Sequence, residues 1–139
     1  MKTIITYLLV ILFLNSRNSV HLLEPLSCKS LHKGRFYLYD KANAIKYIIL
    51  RSDTLQKEIN IKTGDTSIWK INWTDDCTFT CRYVSGIKHN STQEMEYFKN
   101  SLLIFKINKI ERNYYTYDAE IKYNSTSNPF SDTLWLKKK

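Results

Sequence analysis

Only three glycines and two prolines punctuate the 139 residues of this chain. No Gly-x-Ser-x-Gly elbow or comparable nucleophile motif occurs, and nothing resembles a nucleotide site or a strand-cleaving tyrosine motif. Histidine is as scarce: His21, His32 and His89 have no spacing that would gather them around a metal, and they read as surface residues. The Cys77-x-x-x-Cys81 spacing belongs to neither a zinc ribbon nor a thioredoxin site, so no metal and no cofactor are expected. Acidic pairs are limited to Asp75-Asp76 in a turn and Glu94 with Glu96 on a helix surface. Neither offers the enclosed carboxylates that glycoside cleavage needs, and no enzyme is expected. No apolar run reaches the roughly 20 residues of a membrane-spanning helix, which argues against a retained anchor or stable membrane insertion.

What is present starts with Lys2 and the apolar run 4–14, ended by Asn15, Ser16 and Arg17. This is the n-region and h-region of a cleavable signal peptide, residues 1–16, and predicts an exported protein, periplasmic or secreted. A lipoprotein anchored through Cys28 fits less well. Its lipobox should begin where the apolar run ends, but His21, Glu24 and Pro25 intervene. Removing Lys2, the leader's only charge, takes the formal net charge from +8 to +7. The remaining Lys and Arg are scattered singly apart from Lys137, Lys138 and Lys139, which read as a solvated tail. A nucleic-acid partner is therefore not expected.

The mature chain is long enough for one core and too short for two. Short β-like segments fill it at 34–40, 45–52, 55–61, 67–73, 77–83, 102–110, 114–123 and 133–137. Alternation puts Trp69, Ile71 and Trp73 on one face of their strand and Cys77, Phe79, Cys81 and Tyr83 on one face of the next. Tyr115, Tyr117, Ala119, Ile121 and Tyr123 share a face in the same way. Ser91 and Glu94 have the form of a capping box, which predicts a short helix to Asn100 with Met95 and Phe98 on one side. Residues 124–129 read as a turn-forming linker. Eight strands joined by short links predict an all-β fold, an eight-stranded antiparallel up-and-down barrel over 34–139, with 17–33 crossing one barrel end. Closure removes the open edges that a flat meander would leave. A two-sheet sandwich with the same hairpins is the alternative.

Three cysteines in an exported chain suggest one bridge and one thiol. Cys77 and Cys81 lie roughly 13 Å apart on an extended strand, too far to bridge each other, so Cys28 takes one of them or none. In a meander the starts of the first and fifth strands lie at the same barrel end. That geometry predicts Cys28 bridged to Cys77, with Cys81 a buried free thiol. A closed loop of roughly fifty residues would contribute about 4 kcal/mol.

Cys28, Gly34-Arg35-Phe36, Arg51, Gln56-x-Glu58 and Ile71-x-Trp73 followed by Asp76-Cys77-x-Phe79 resemble the small exported lipocalin-like proteins of Bacteroidota. The likeness runs from Cys28 to about Tyr123, with Phe36 in the place of the Trp of the lipocalin Gly-x-Trp. The resemblance implies a calycin-like barrel that commonly holds a small ligand.

Two function classes follow. One is a non-enzymatic binding module that takes a small apolar or amphipathic ligand, with Arg51, Gln56 and Glu58 as a polar group and Trp69, Trp73, Phe79 and Tyr83 as an apolar wall. The other is a packed-barrel structural or interaction protein with no small-molecule ligand. An Arg and a Glu inside a barrel must pair or orient a ligand's polar head. They could equally plug the closed end or face solvent, because the parity of 45–52 is ambiguous. The aromatic wealth, ten tyrosines and three tryptophans, is what barrel walls use in either class. Asn72-Trp73-Thr74, Asn90-Ser91-Thr92 and Asn124-Ser125-Thr126 fit the glycosylation pattern and read as incidental.

Overall fold

The computed structural model describes residues 26–86 and 91–139. The expected leader and its cleavage point, His21 and His89 lie outside the described residues. A 3-10 turn, Lys29–Leu31, precedes β1 (Gly34–Tyr39), β2 (Ile45–Arg51), β3 (Leu55–Asn60), β4 (Thr66–Trp73) and β5 (Thr78–Ser85). Helix α1 (Thr92–Asn100) then leads to β6 (Leu102–Ile110), β7 (Tyr114–Tyr123) and β8 (Thr126–Trp135). Each strand pairs antiparallel with the next and β8 returns to β1, so the sheet closes as the eight-stranded up-and-down barrel that the strand count predicts. The sandwich alternative is set aside by that closure.

Alternation decides which side chains enter the barrel. Phe36, Ile49, Ile107, Tyr115, Tyr117, Ala119 and Leu134 form one buried cluster, joined by Leu31 from the 3-10 turn. Trp69, Ile71, Phe79 and Cys81 form a second. Fully burying one large apolar side chain is worth about 1.5–3 kcal/mol, so these rows fix the register. Asn124, at φ 51°, starts the tight β7–β8 turn, and Asn is among the few residues that tolerate the left-handed region.

The last strand begins earlier than the sequence predicts. Residues 126–129, read as linker, pair with β7 from Tyr123↔Thr126 to Glu120↔Pro129, and the strand ends at Trp135 rather than at 137. Pro129 misled the reading because it cannot donate in a ladder. Here the β1 pairing occurs at Tyr37↔Trp135, so the first half of β8 is an edge on which a missing N–H costs nothing. Helix α1 carries the expected cap, Ser91 Oγ accepting from the Glu94 N–H at 3.1 Å. Its packed face differs from the prediction: Phe98 lies against Trp69 and Tyr83, Tyr97 lies against Tyr123, and Met95 stays exposed.

One barrel end is closed. Cys28 is bonded to Cys77, as strand direction predicts, with 5.0 Å between Cα atoms. The adjoining 3-10 turn drives Leu31 into the core. His32, read as a free surface residue, instead stacks on Trp73 with centroids 3.5 Å apart and donates from Nε2 to the Asp76 carbonyl at 2.8 Å. The bridge joins Cys28, four residues before His32, to Cys77, four residues after Trp73, and so holds His32 there, a proximity that sequence spacing does not reveal.

Candidate ligand site inside the barrel

Arg51 ends β2 and Gln56 lies opposite it at the start of β3, as register partners beside a short hairpin. Because Ile49 must face inward, so must Arg51 two residues on, which settles the parity that sequence left open. Only 6% of Arg51 and 3% of Gln56 is exposed. Arg51 Nε donates to Gln56 Oε1 at 2.8 Å, and Nη1 donates to the Leu31 carbonyl at 3.2 Å. The guanidinium lies between the rings of Phe36 and Phe79, 4.9 and 4.6 Å from their centroids. A weakly hydrated planar cation suits such an aromatic slot.

Gln56 passes the chain of hydrogen bonds on. Its Nε2 donates to Glu58 Oε1 at 2.7 Å, Ser67 Oγ donates to Glu58 Oε2 at 3.5 Å, and Trp69 Nε1 donates to Ser67 Oγ at 2.9 Å. Arg51 and Glu58 are therefore linked through an amide rather than by direct contact. Burial raises the pKa of Glu58 above its ordinary value, against the opposing pull of Gln56 and Arg51. Desolvation penalises the charged carboxylate, and its partners return only part of that cost. Tyr115, fully buried, carries a hydroxyl with no hydrogen-bond partner of good geometry; burial raises its pKa, with the charge of Arg51 acting in the other direction. Cys81 is a buried free thiol whose pKa burial pushes up to about 12. A thiol so far from ionising is not a nucleophile at neutral pH.

Above this polar base the barrel is hollow. A cavity of about 300 Å³ is lined by Arg51, Gln56, Glu58, Tyr47, Phe105 and Tyr117, with Lys46, Phe130 and Asp132 at its rim. A second space of about 310 Å³ shares Tyr47 and Glu58 with it and reaches under α1 to Trp69 and Phe98. Gly86 borders this second space, where a Cβ would fall 2.0 Å from the Thr66 carbonyl oxygen. Only glycine allows β5 to leave the barrel so close to β4.

The residues proposed from sequence divide accordingly. Arg51, Gln56, Glu58 and Phe79 come together around the cavity, and Trp69 borders the adjoining space. Trp73 sits at the closed end between His32 and Phe79, and Tyr83 lies behind Trp69 against Phe98. Tyr47, Phe105, Tyr115 and Phe130 line the cavity without having been proposed. The alternating row that contains Tyr115 was the signal available for it, whereas Phe130 was hidden by the linker reading of its segment. Among the described residues, no three His, Cys, Asp or Glu side chains gather in a way that could hold a metal ion. Searches of protein-family models, curated proteins and solved structures give no match to this chain.

Proposed function

We propose that this is an exported, non-enzymatic, lipocalin-like binding protein, and that its barrel takes a small amphipathic molecule with a carboxylate head. The carrying observation is the buried Arg51–Gln56–Glu58 chain at the base of a cavity of about 300 Å³. Polar groups converging in an otherwise apolar concavity are what orients a ligand. Arg51 retains guanidinium N–H groups beyond those given to Gln56 and Leu31, and a carboxylate matches that fork. A protonated Glu58 would not repel such a head and could donate to it. At interior packing density the space suits on the order of ten to fifteen non-hydrogen atoms. The disulfide accords with an oxidising compartment outside the cytoplasm.

The second reading, a packed barrel without a ligand, draws on the way Phe36, Tyr115 and Leu31 fill the closed half. Isothermal titration with decanoate, decan-1-ol and decylammonium separates the two. Decanoate should bind, Arg51→Lys should weaken it about tenfold by losing the fork, and Leu103→Phe should block it by filling the cavity that Leu103 also lines. If none of the probes gives heat, the packed-barrel reading stands in its place.

A further inference from the structure

Lysine and arginine residues that are scattered along the sequence are collected by the strand register onto one outer wall. Outward positions pair across β1 to β4 as Arg35↔Leu50, Leu50↔Lys57 and Lys57↔Ile68, and the next row pairs Leu55↔Lys70 and Lys70↔Arg82. Cations thus alternate with aliphatic side chains across the wall. Leu50, Leu55 and Ile68 line a shallow external groove around the Lys57 stem. Leu55 and Val84 on this wall are 47% and 53% exposed, and Ile61, in the β3–β4 turn beside it, is 47% exposed. Among the described residues, no outward position on β1 to β5 carries a carboxylate; Asp40, Asp53, Asp65, Asp75 and Asp76 lie in the connecting turns, and Asp53 is paired with Lys33.

The opposite wall is built differently. On β6 to β8 Lys106 faces Asp118 and Lys122 pairs with Glu120 at 3.5 Å, while Lys109 pairs at 2.7 Å with Glu111 of the β6–β7 turn. There the charges are neutralised within the wall.

We propose that the outer wall of β1 to β5 docks on the surface of an anionic lipid bilayer, independently of whether the barrel holds a ligand. The partner follows from the chemistry of the wall. Interleaved cations would lie at the level of anionic headgroups while the long aliphatic stems and Leu, Ile and Val side chains press into the apolar boundary. A second copy of the same wall would set cations against cations in a two-fold contact, which disfavours self-association there. The docking is peripheral, and no helix among the described residues is long and apolar enough to cross a membrane.

Vesicle co-sedimentation of the full chain tests this, with phosphatidylglycerol–phosphatidylcholine vesicles against pure phosphatidylcholine, at low and high salt. Wild type should sediment with the anionic vesicles and be released by salt. The pair Lys57→Glu with Lys70→Glu should lower the partition coefficient by at least about tenfold, since each basic residue contributes severalfold near such a surface. Ile61→Ser with Val84→Ser should lower it severalfold. Lys109→Glu with Lys122→Glu, on the opposite wall, should leave it within about twofold. Residues 1–25 are common to all four proteins, so their contribution cancels; circular dichroism confirms folding in each. Equal losses from both walls, or no preference for anionic vesicles, would overturn the proposal. So would binding to soluble polyglutamate in place of vesicles, or a dimer in sedimentation equilibrium that Lys57→Glu abolishes.

Discussion

At one end of the barrel Cys28, Leu31, His32 and Trp73 fill space, while at the other the hairpins around Lys46, Asn60 and Phe130 leave it open. The strands are the same at both ends, so the difference lies in what crosses them. The closed end is braced by a covalent bond and stacked rings, and Arg51 ties it to the cavity base through its bond to the Leu31 carbonyl. The open end keeps exposed side chains, and beneath it, at the cavity base, burial holds back the ionisation of Glu58. Stability concentrated at one end frees the other to remain hollow, because an unfilled cavity forfeits packing that must be recovered elsewhere.

The largest expected effect comes from breaking the brace. Cys28→Ser with Cys77→Ser should cost about 4 kcal/mol of unfolding free energy for a loop of 49 residues, as chain entropy predicts. Chemical denaturation checks it, with an m-value that rises because the unlinked denatured chain exposes more surface. A loss under about 1 kcal/mol would mean that the closed end is held by packing alone. Next, Arg51→Ala removes the residue that ties the cavity base to the 3-10 turn. It strands the Leu31 carbonyl and Gln56 and empties an aromatic slot, for about 2–4 kcal/mol in the same assay. An effect near zero would place Arg51 outside the structural framework.

Glu58 gives a smaller, pH-dependent effect. Its folded pKa lies above the ordinary 4.5. Stability is therefore fully present where the acid is protonated in both states, and is lost as pH rises from there through the folded pKa. Glu58→Gln removes that loss. The variant should be more stable than wild type at about pH 8, with the gap closing toward about pH 4. Thermal melts across that range decide it, and a gap that widens on acidification would reverse the assignment. The smallest effect belongs to the open rim: Phe130→Ser, at a side chain 40% exposed, should change stability by no more than about 0.5 kcal/mol. A larger loss would show the rim to be part of the core.

Strand number, barrel closure and the Cys28–Cys77 bond were legible because each rests on alternation and on the direction of successive strands, which a one-chain pattern carries. The inward aim of Arg51 was not, since Ile48, Ile49 and Leu50 are all apolar and alternation has no contrast to read there. Only pairing with β3, which places Ile49 opposite Glu58 and Arg51 opposite Gln56, supplies the parity. The His32–Trp73 stack is invisible for a related reason: the residues are brought together by the bridge between their neighbours and not by any periodicity. The cationic wall needs register as well, because Arg35, Lys57, Lys70 and Arg82 become neighbours only across strands.

The bond between Cys28 and Cys77, 49 positions apart, also makes β1 to β4 part of one covalent ring, which includes the whole hydrogen-bonded series from Arg51 to Trp69. Under mechanical load applied beyond the ring, its slack cannot be drawn out. About 175 Å of contour length stays hidden until the bond is reduced. One wall of the cavity would then keep its connectivity under tension while the wall formed by β6 to β8 peels away, so that a pulled molecule lengthens in two instalments, the second available only to a reductant.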